Sequence, residues 1–446
     1  MGRITLKDAA LWCGGIVAPE YETLTFRGVQ FDSRTVGNGE LFVALTGERD
    51  GHTYIPMAME KGAVAVLASR PQDPAVPAIY VEDTLVAMQQ ISRGYRESLS
   101  CQVVGITGSV GKTTTKEMVA AVLEQGFRTQ KTPKNYNNHI GLPVTLLSLE
   151  EDCEKAVIEM GMNHAGEISL LTSLAQPDIA MITNVGTMHI EYLGSREGIL
   201  GAKLEILEGL RPGGKILFCG DNDLLCREAE TYGAITYGLG EHNQVRAVDL
   251  TMGEEGCSFT VEAFGHSFLV ELPVVGEHNV CNALGASAVG LLCGMEQSEI
   301  CRGLAAFTNT DMRQNTYSRD GLYIIEDCYN AGPESTRAAL SVLAKRVGRR
   351  IAVLGGMLEL GDYGPIAHYE IGREAAETAD LLFAYGPLGD EMVRGAESMT
   401  YAEHFTTHEE LVSSLKEKLQ PGDSLLIKGS RGMHMEKVLQ LLFANK

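Results

Sequence analysis

The sequence predicts an α/β protein of three domains, and three observations carry that prediction. Near-continuous apolar runs such as Val103-Val104-Gly105-Ile106, Ala156-Val157-Ile158, Ile179-Ala180-Met181-Ile182 and Ile216-Leu217-Phe218 alternate with helical stretches, the pattern of a parallel sheet covered on both faces. The alternation restarts beyond residue 312, with Leu322 to Glu326, Ile351 to Leu354, Leu381 to Phe383 and Leu425 to Ile427. A length of 446 residues suits about three domains of ~150 residues each. The boundaries read as 1–100, 101–312 and 313–446, giving a small mixed α/β domain, a central parallel-sheet domain and a C-terminal Rossmann-like α/β domain.

In the first region short elements follow one another at Val29 to Arg34, Glu40 to Leu45 and Ala63 to Leu67, with a Gly-rich turn from Gly47 to Gly51. Pro71, Pro74 and Pro77 close it, and a helix near Thr84 to Ser98 leads into the next domain. In the second, Cys257 to Leu272 alternates apolar with polar residues around Gly265-His266, which predicts a hairpin at a sheet edge or in an added small sheet. A helix from about Asn279 to Cys293 follows. In the third, Pro333 opens a helix with Glu334 in its first turn.

Charge excludes some functions. Lys and Arg number 37 against 58 Asp and Glu, a net charge of −21 with pI near 5.0, the wrong sign for nonspecific nucleic-acid binding. A local basic pocket for a small anion stays compatible with it. The ten cysteines form no Cys-x-x-Cys pair and read as reduced thiols. The start Met1-Gly2-Arg3-Ile4-Thr5-Leu6 has no signal-peptide character, and Leu6 occupies the place where a myristoylation motif requires Ser or Thr. No apolar run approaches the ~18 residues of a membrane span. A cytoplasmic protein with no membrane partner is expected.

The most informative stretch is Gly105-Ile106-Thr107-Gly108-Ser109-Val110-Gly111-Lys112-Thr113-Thr114-Thr115, between an apolar strand and the helical run Lys116 to Glu124. Gly108 and Gly111 let the backbone curl so that N–H groups converge on phosphate oxygens, and the following helix adds the positive end of its dipole. Lys112 would reach the β- and γ-phosphates of ATP, and the Thr113 hydroxyl would ligate Mg²⁺. The longer pattern with Gly at 106 is absent, so this is a shortened phosphate loop. Glu159 ends a strand where its carboxylate could oppose Thr113 on the metal, or merely cap Gly161 or His164. His189, in Asn184-Val185-Gly186-Thr187-Met188-His189, reads either as a metal ligand or as a packed or surface histidine.

Taken together these segments resemble the Mur ligases, the ATP-dependent amide-forming enzymes of peptidoglycan precursor synthesis. The resemblance spans the chain. It rests on Thr107 to Thr114, on Lys131-Thr132-Pro133-Lys134-Asn135-Tyr136-Asn137-Asn138-His139-Ile140-Gly141, on Glu159-Met160-Gly161, on Asn184 to His189, on Ala202-Lys203-Leu204-Glu205, on Gly276-Glu277-His278-Asn279 with Asn282, and on Arg313. It implies that Gly108, Ser109, Val110, Gly111, Lys112, Thr113, Thr114, Asn279, Asn282 and Arg313 bind ATP, and that Ser33, Arg34, Asn135 and Asn138 bind a uridine-nucleotide substrate. Lys203, otherwise a plain helix lysine, matches the family lysine that is carbamylated, and with His189 it would hold a second Mg²⁺. Lys112, Glu159, His189 and Lys203 are the implied catalytic set. Asn279 alone reads equally well as a helix cap.

Within the family, Asp32-Ser33-Arg34 with Asp50-Gly51-His52 is similar to the uridine-nucleotide domain of the members that add the third residue or the final dipeptide. Glu326-Asp327-Cys328-Tyr329-Asn330, Val353 to Gly361 and Lys428 to Met433 resemble the dipeptide-adding members. Asp-Asn-Pro-Arg, expected of diaminopimelate-adding members, is absent. The implied reaction joins D-alanyl-D-alanine to UDP-N-acetylmuramoyl-tripeptide; the alternative is addition of diaminopimelate or lysine to the dipeptide precursor. Small-molecule partners and a monomeric chain are expected. Two departures stand out: Cys328 where members have Ser, and Gly332 where they have Asn before Pro333.

Overall fold

The computed structural model describes residues 4–309 and 312–444, so Met1, Gly2 and Arg3 of the N-terminal reading lie outside the described residues. The chain divides into two compact units, one of Met1–Thr107, Leu123–Ile182 and Ala202–Leu217, the other of Gly108–Val122, Thr183–Gly201 and Phe218–Lys446. The fold is α/β throughout, built on mixed sheets in which parallel pairs dominate.

The first unit contains a five-stranded sheet in the order Ile16–Val17, Ala78–Tyr80, Ala65–Ala68, Leu41–Val43, Val29–Gln30. Only the edge pair Ile16–Val17 with Ala78–Tyr80 is antiparallel. The strands are shorter than the segments expected of them, two to four residues each along Val29–Gln30, Leu41–Val43 and Ala65–Ala68. Beyond Gln30 the chain turns at once, with Thr35 N bonding back to Asp32 O at 3.0 Å. The helix Thr84–Ser98 coincides with its sequence expectation, because Asp83 caps it by accepting from Leu85 N and Val86 N.

Four further strands of this unit run parallel in the order Thr129–Lys131, Lys155–Glu159, Gln102–Thr107, Ile179–Ile182. The last three are buried at nearly every position, as a doubly covered parallel sheet requires, while the edge strand Thr129–Lys131 is half-buried. The register sets Glu159 beside Ile106 and Ile182 beside Thr107, so all these strands end at one edge of the sheet.

In the second unit Val245–Met252, Cys257–Ala263 and His266–Leu272 are antiparallel neighbours, and the predicted hairpin forms the sheet edge. Its two-residue turn has Phe264 at φ +50 and Gly265 at +82, the left-handed pair that a tight hairpin of native twist needs. Val245–Met252 had no counterpart among the expected strands. A six-stranded sheet follows in the order Asn315–Arg319, Leu322–Asp327, Ser424–Lys428, Arg350–Gly355, Leu381–Tyr385, Ala402–Phe405, parallel except for its first pair. Alternate residues face opposite sides. Ile325, Leu354, Leu382 and Leu426 pack under Pro333–Ala344 and Gly364–Thr378, while Ile324, Val353, Phe383 and Ile427 pack with Leu411 and Leu415 of His408–Lys418. Helices on both faces make this part doubly wound.

All ten cysteines are free thiols. Among the described residues no helix is long and apolar enough to cross a membrane.

His368 ties the turn after Arg350–Gly355 to the next helix. It is wholly buried; its Nε2 accepts from Met357 N at 2.9 Å, so Nδ1 carries the proton donated to Gly364 O at 2.6 Å. Burial pushes its pKa below the ordinary histidine value. The neutral ring's contribution to stability is therefore complete above the unfolded value of about 6.5, and is lost as the pH falls below that towards the depressed folded value. Urea midpoints should fall between pH 7.5 and 5, and His368→Asn should be less stable at pH 7.5 but lose less on acidification.

Candidate active site

The site begins at the glycine loop. The helix Lys112–Leu123 starts four residues before the predicted run, so the first-turn N–H groups, which have no partner within the helix, belong to the loop itself. Gly108 has φ +154 and a Cβ there would collide with Thr183 Oγ1; Gly111 has φ +85 and its Cβ would lie 3.0 Å from Asn282 Oδ1. Both glycines are thus required by conformation and by space. Asn184 clamps the loop from the next segment. Its carbonyl accepts from Ser109 N at 3.1 Å and its Oδ1 from Val110 N at 2.8 Å. Thr183 Oγ1 donates to Val110 O at 2.6 Å, and Gly186 N donates to Ser109 Oγ at 2.9 Å. Lys112 Nζ donates to the loop carbonyls of Gly108 at 2.6 Å and Ser109 at 3.3 Å, and Thr113 beside it is buried.

Asn282 joins the loop helix to Glu277–Leu292 by accepting from Thr115 Oγ1 at 3.0 Å. Asn279 is not the helix cap, a place that falls to Gly276; it donates to Val275 O at 2.8 Å and to Gln314 Oε1 at 3.2 Å. Gln314 also accepts from His278 Nε2 at 2.8 Å, so it gathers this helix start next to Arg313, whose guanidinium stacks 4.0 Å over the Tyr329 ring. Desolvation pushes His278 below the ordinary histidine pKa.

The Asn184–His189 segment is held from the C-terminal region as well. Glu334, in the first turn of Pro333–Ala344, accepts from Thr187 N at 2.8 Å and Thr187 Oγ1 at 3.0 Å. Its other oxygen is buried without a hydrogen bond, and a Cβ on Gly186 would sit 2.6 Å from this carboxyl group. His189 places Nδ1 2.7 Å from Glu359 Oε2. At the departure, Gly332, a Cβ would meet Met188 Sδ, so a larger residue there requires that methionine side chain to move. Cys328 is buried, donating to Ile427 O at 3.5 Å, a place that a small side chain fills.

The first unit carries the remaining expected residues. Glu159 is 2% exposed at its strand end, and Asn137 Nδ2 donates to its Oε1 at 2.8 Å; Gly161 N bonds Asn137 O instead, so the carboxylate does not cap Gly161. Asn138 Oδ1 accepts from Ile140 N and Gly141 N, shaping the start of Gly141–Leu147, while Asn135 is exposed. Lys203, 1% exposed, lies in the last turn of the helix Arg196–Leu204. Ser33 is buried against Met57, and exposed Arg34 pairs with Asp32 at 2.7 Å, holding that carboxyl down to about 2.

Three motif segments meet at the carboxyl ends of adjacent strands in the six-stranded sheet. Lys428, buried, donates to Asp327 Oδ2 at 2.6 Å and Asn330 O at 3.0 Å; Ser430 Oγ donates to Ala331 O at 3.1 Å and accepts from Leu358 N at 2.9 Å. Ligands of such sheets bind at this end. Among the described residues no three His, Cys, Asp or Glu side chains gather as a ready cage. The buried Glu159 carboxylate and Thr113 hydroxyl are hard oxygen donors of the kind that Mg²⁺ takes alongside phosphate oxygens and water.

Sequence reasoning missed roles for Asn137, Thr183, Asn184, Gln314 and Glu334. Asn184 had a signal, a polar residue just past an apolar strand; Glu334 had none beyond its helix-start position. Replacing Glu334 by Ala strands the Thr187 N–H and hydroxyl, and should cost about 1–3 kcal/mol in urea unfolding. Gly186→Ala should cost a similar amount by displacing the same carboxyl group, so the double variant should lose less than the two single losses combined.

Residues 25–121 match the Mur ligase family catalytic domain, 106–290 the Mur ligase middle domain, and 312–431 the Mur ligase glutamate ligase domain. The chain is 42% identical to the UDP-N-acetylmuramoyl-tripeptide–D-alanyl-D-alanine ligase of Bacillus subtilis, over 99% of this chain and 98% of that protein. A crystal structure of MurF from Acinetobacter baumannii superposes with a TM-score of 0.93 at 32% identity, covering 100% of both chains. MurF ligase from Thermotoga maritima, solved in complex with ADP, gives 0.84 at 29% identity, over 93% of this chain and 97% of that one. With three matching regions in sequence order and a full-length relative at that identity, this chain belongs to the Mur ligase family.

Proposed function

We propose that this chain is the ATP-dependent ligase that joins D-alanyl-D-alanine to UDP-N-acetylmuramoyl-tripeptide, releasing ADP and phosphate, in peptidoglycan precursor synthesis. The full-length likeness to the Bacillus subtilis ligase carries this reading, and the glycine loop supports it from the chain's own geometry. In this reading residues 1–100 hold the UDP end through Ser33 and Arg34, 101–312 the ATP, and 313–446 the dipeptide. Asn135 and Asn138 serve the same UDP substrate. The chain acts in the cytoplasm as a monomer on small molecules, without nucleic acid or membrane.

The chemistry requires activation. A carboxylate resists an amine because its carbonyl is electron-rich and oxide leaves poorly, so the tripeptide carboxylate first attacks the γ-phosphorus of ATP and ADP departs. Both partners are anionic. Lys112 offsets that repulsion at the β- and γ-phosphates, the N–H groups of Gly108 and Gly111 and of the first helical turn at Thr113 and Thr114 cradle the phosphate chain while Asn184 keeps Ser109 N and Val110 N to hold the loop's shape, and Arg313 contacts ATP from the C-terminal side. Asn279 and Asn282 face the adenine. Thr113 and Glu159 supply ligands for one Mg²⁺, His189 and a carbamylated Lys203 for another. When bound, these ions neutralise phosphoryl charge and polarise the transferring group. The dipeptide amine then attacks the acyl carbon of the resulting acyl phosphate; the tetrahedral oxyanion, stabilised by the same local positive charge, collapses to amide and phosphate.

ADP release should appear with Mg-ATP only when UDP-N-acetylmuramoyl-tripeptide and D-alanyl-D-alanine are both present, with a UDP-pentapeptide found by mass analysis. Turnover only with the shorter UDP-dipeptide and a free amino acid would reassign the chain within the family, and ADP release indifferent to every amine would overturn the ligase reading. Lys112→Ala should abolish turnover while leaving the fold intact by circular dichroism.

A further inference from the structure

Glu359 has no part in the chemistry above, yet it makes a close contact with His189. It follows the strand Arg350–Gly355 in the turn Met357–Leu360, and its Oε2 lies 2.7 Å from His189 Nδ1. Both backbones are left-handed, φ +64 at His189 and +62 at Glu359. Neither residue is glycine, so each is strained, and such strain persists only where surrounding structure enforces it. Gly361 supplies part of that enforcement. Its φ is +50, and a Cβ there would press within 3.2 Å of the Glu191 side chain, so the two turns approach as closely as a glycine allows. Ile190 anchors the histidine turn on the apolar cluster beneath Pro333–Ala344.

The imidazole is largely enclosed, its side chain 15% exposed. Nδ1 is buried and has the carboxylate oxygen in ion-pair range, but the ring is not aligned for a hydrogen bond. The terminal torsion of histidine is soft, and a small turn of the ring brings Nδ1–H onto Oε2. The proton then resides on Nδ1 and Nε2 keeps its lone pair. A carboxylate that holds one imidazole nitrogen fixes the tautomer and aims the other at a cation.

We infer that Glu359 is a positioning residue for His189: it holds the proton on Nδ1 and turns Nε2 towards the divalent cation. The inference rests on the proposed assignment of His189 to that cation. It makes the C-terminal region a participant in metal binding through a residue that touches neither metal nor substrate.

Mn²⁺ binding to the full-length protein, measured by the electron paramagnetic resonance signal of free Mn²⁺ with a saturating non-hydrolysable ATP analogue, tests it. Glu359→Gly removes the carboxylate and relieves the left-handed backbone, so Tm should hold or rise while Mn²⁺ binds ~10-fold or more weakly. Glu359→Gln, which keeps an acceptor oxygen, should lie between Glu359→Gly and the unaltered protein. In a His189→Ala background Glu359→Gly should cause no further loss. The inference is overturned if His189→Ala weakens Mn²⁺ binding and Glu359→Gly does not, or if Glu359→Gly weakens it equally with and without His189. If His189→Ala itself leaves Mn²⁺ affinity unchanged, the cation assignment in the proposed function fails, and this inference fails with it.

Discussion

The rest of the site depends on the grip of Thr183 and Asn184 on the glycine loop. A loop between strand and helix cannot satisfy its N–H groups by regular pairing, and flexible glycines at 108 and 111 would let it wander. Four hydrogen bonds from Thr183, Asn184 and Gly186 fix it, through both the carbonyl and the side chain of Asn184. The loop is therefore shaped in advance, and binding energy need not be spent ordering it.

From that clamp the arrangement spreads outward. The segment that grips the loop continues to Thr187 and His189, and the C-terminal region meets it there with Glu334 and Glu359. The same region collects Asp327, Asn330, Leu358, Lys428 and Ser430 at the carboxyl ends of three neighbouring strands. A parallel sheet delivers this automatically, because each crossover returns the chain to the same edge and leaves the variable turns together.

Legibility in the sequence followed the physics of each element. The buried parallel strands were readable because burial on both faces demands unbroken apolar runs, and the hairpin was readable from Gly265 between alternating segments. Val245–Met252 escaped because its residues, apart from buried Val245, are only half-buried or exposed, which blurs the pattern of a strand. The short strands of the first region were overread, since Asp32, Ser33 and Arg34 belong to a turn closed by Thr35 N to Asp32 O and not to the strand that ends at Gln30. Among the candidate site residues, the loop glycines, Lys112 and Thr113 were singled out by spacing alone. Lys203 and His189 did so only through family resemblance, because one lysine and one histidine carry no local pattern. Glu334 and Glu359 were hidden for another reason: their partners lie far off in sequence, and a carboxylate in a helix's first turn reads as an ordinary dipole effect.

The acidity of the chain and the anionic character of its proposed substrates are compatible once distance is considered. A net charge of −21 is spread over the surface, and beyond ~8 Å salt screens its members from one another and from a ligand. Within the loop the relevant groups are few and close: Lys112, backbone N–H groups, and the start of a helix. Their attraction acts across hydrogen-bond distances, where screening is weakest. The surface charge therefore rejects long polyanions, which must lie along many ångströms of protein, while a compact triphosphate meets only the loop. In this way an acidic composition that disfavours nonspecific binding along a polyanion is compatible with the proposed nucleotide site, and the cations proposed for Thr113, Glu159 and His189 complete locally a neutralisation that the chain's own sparse basic residues begin.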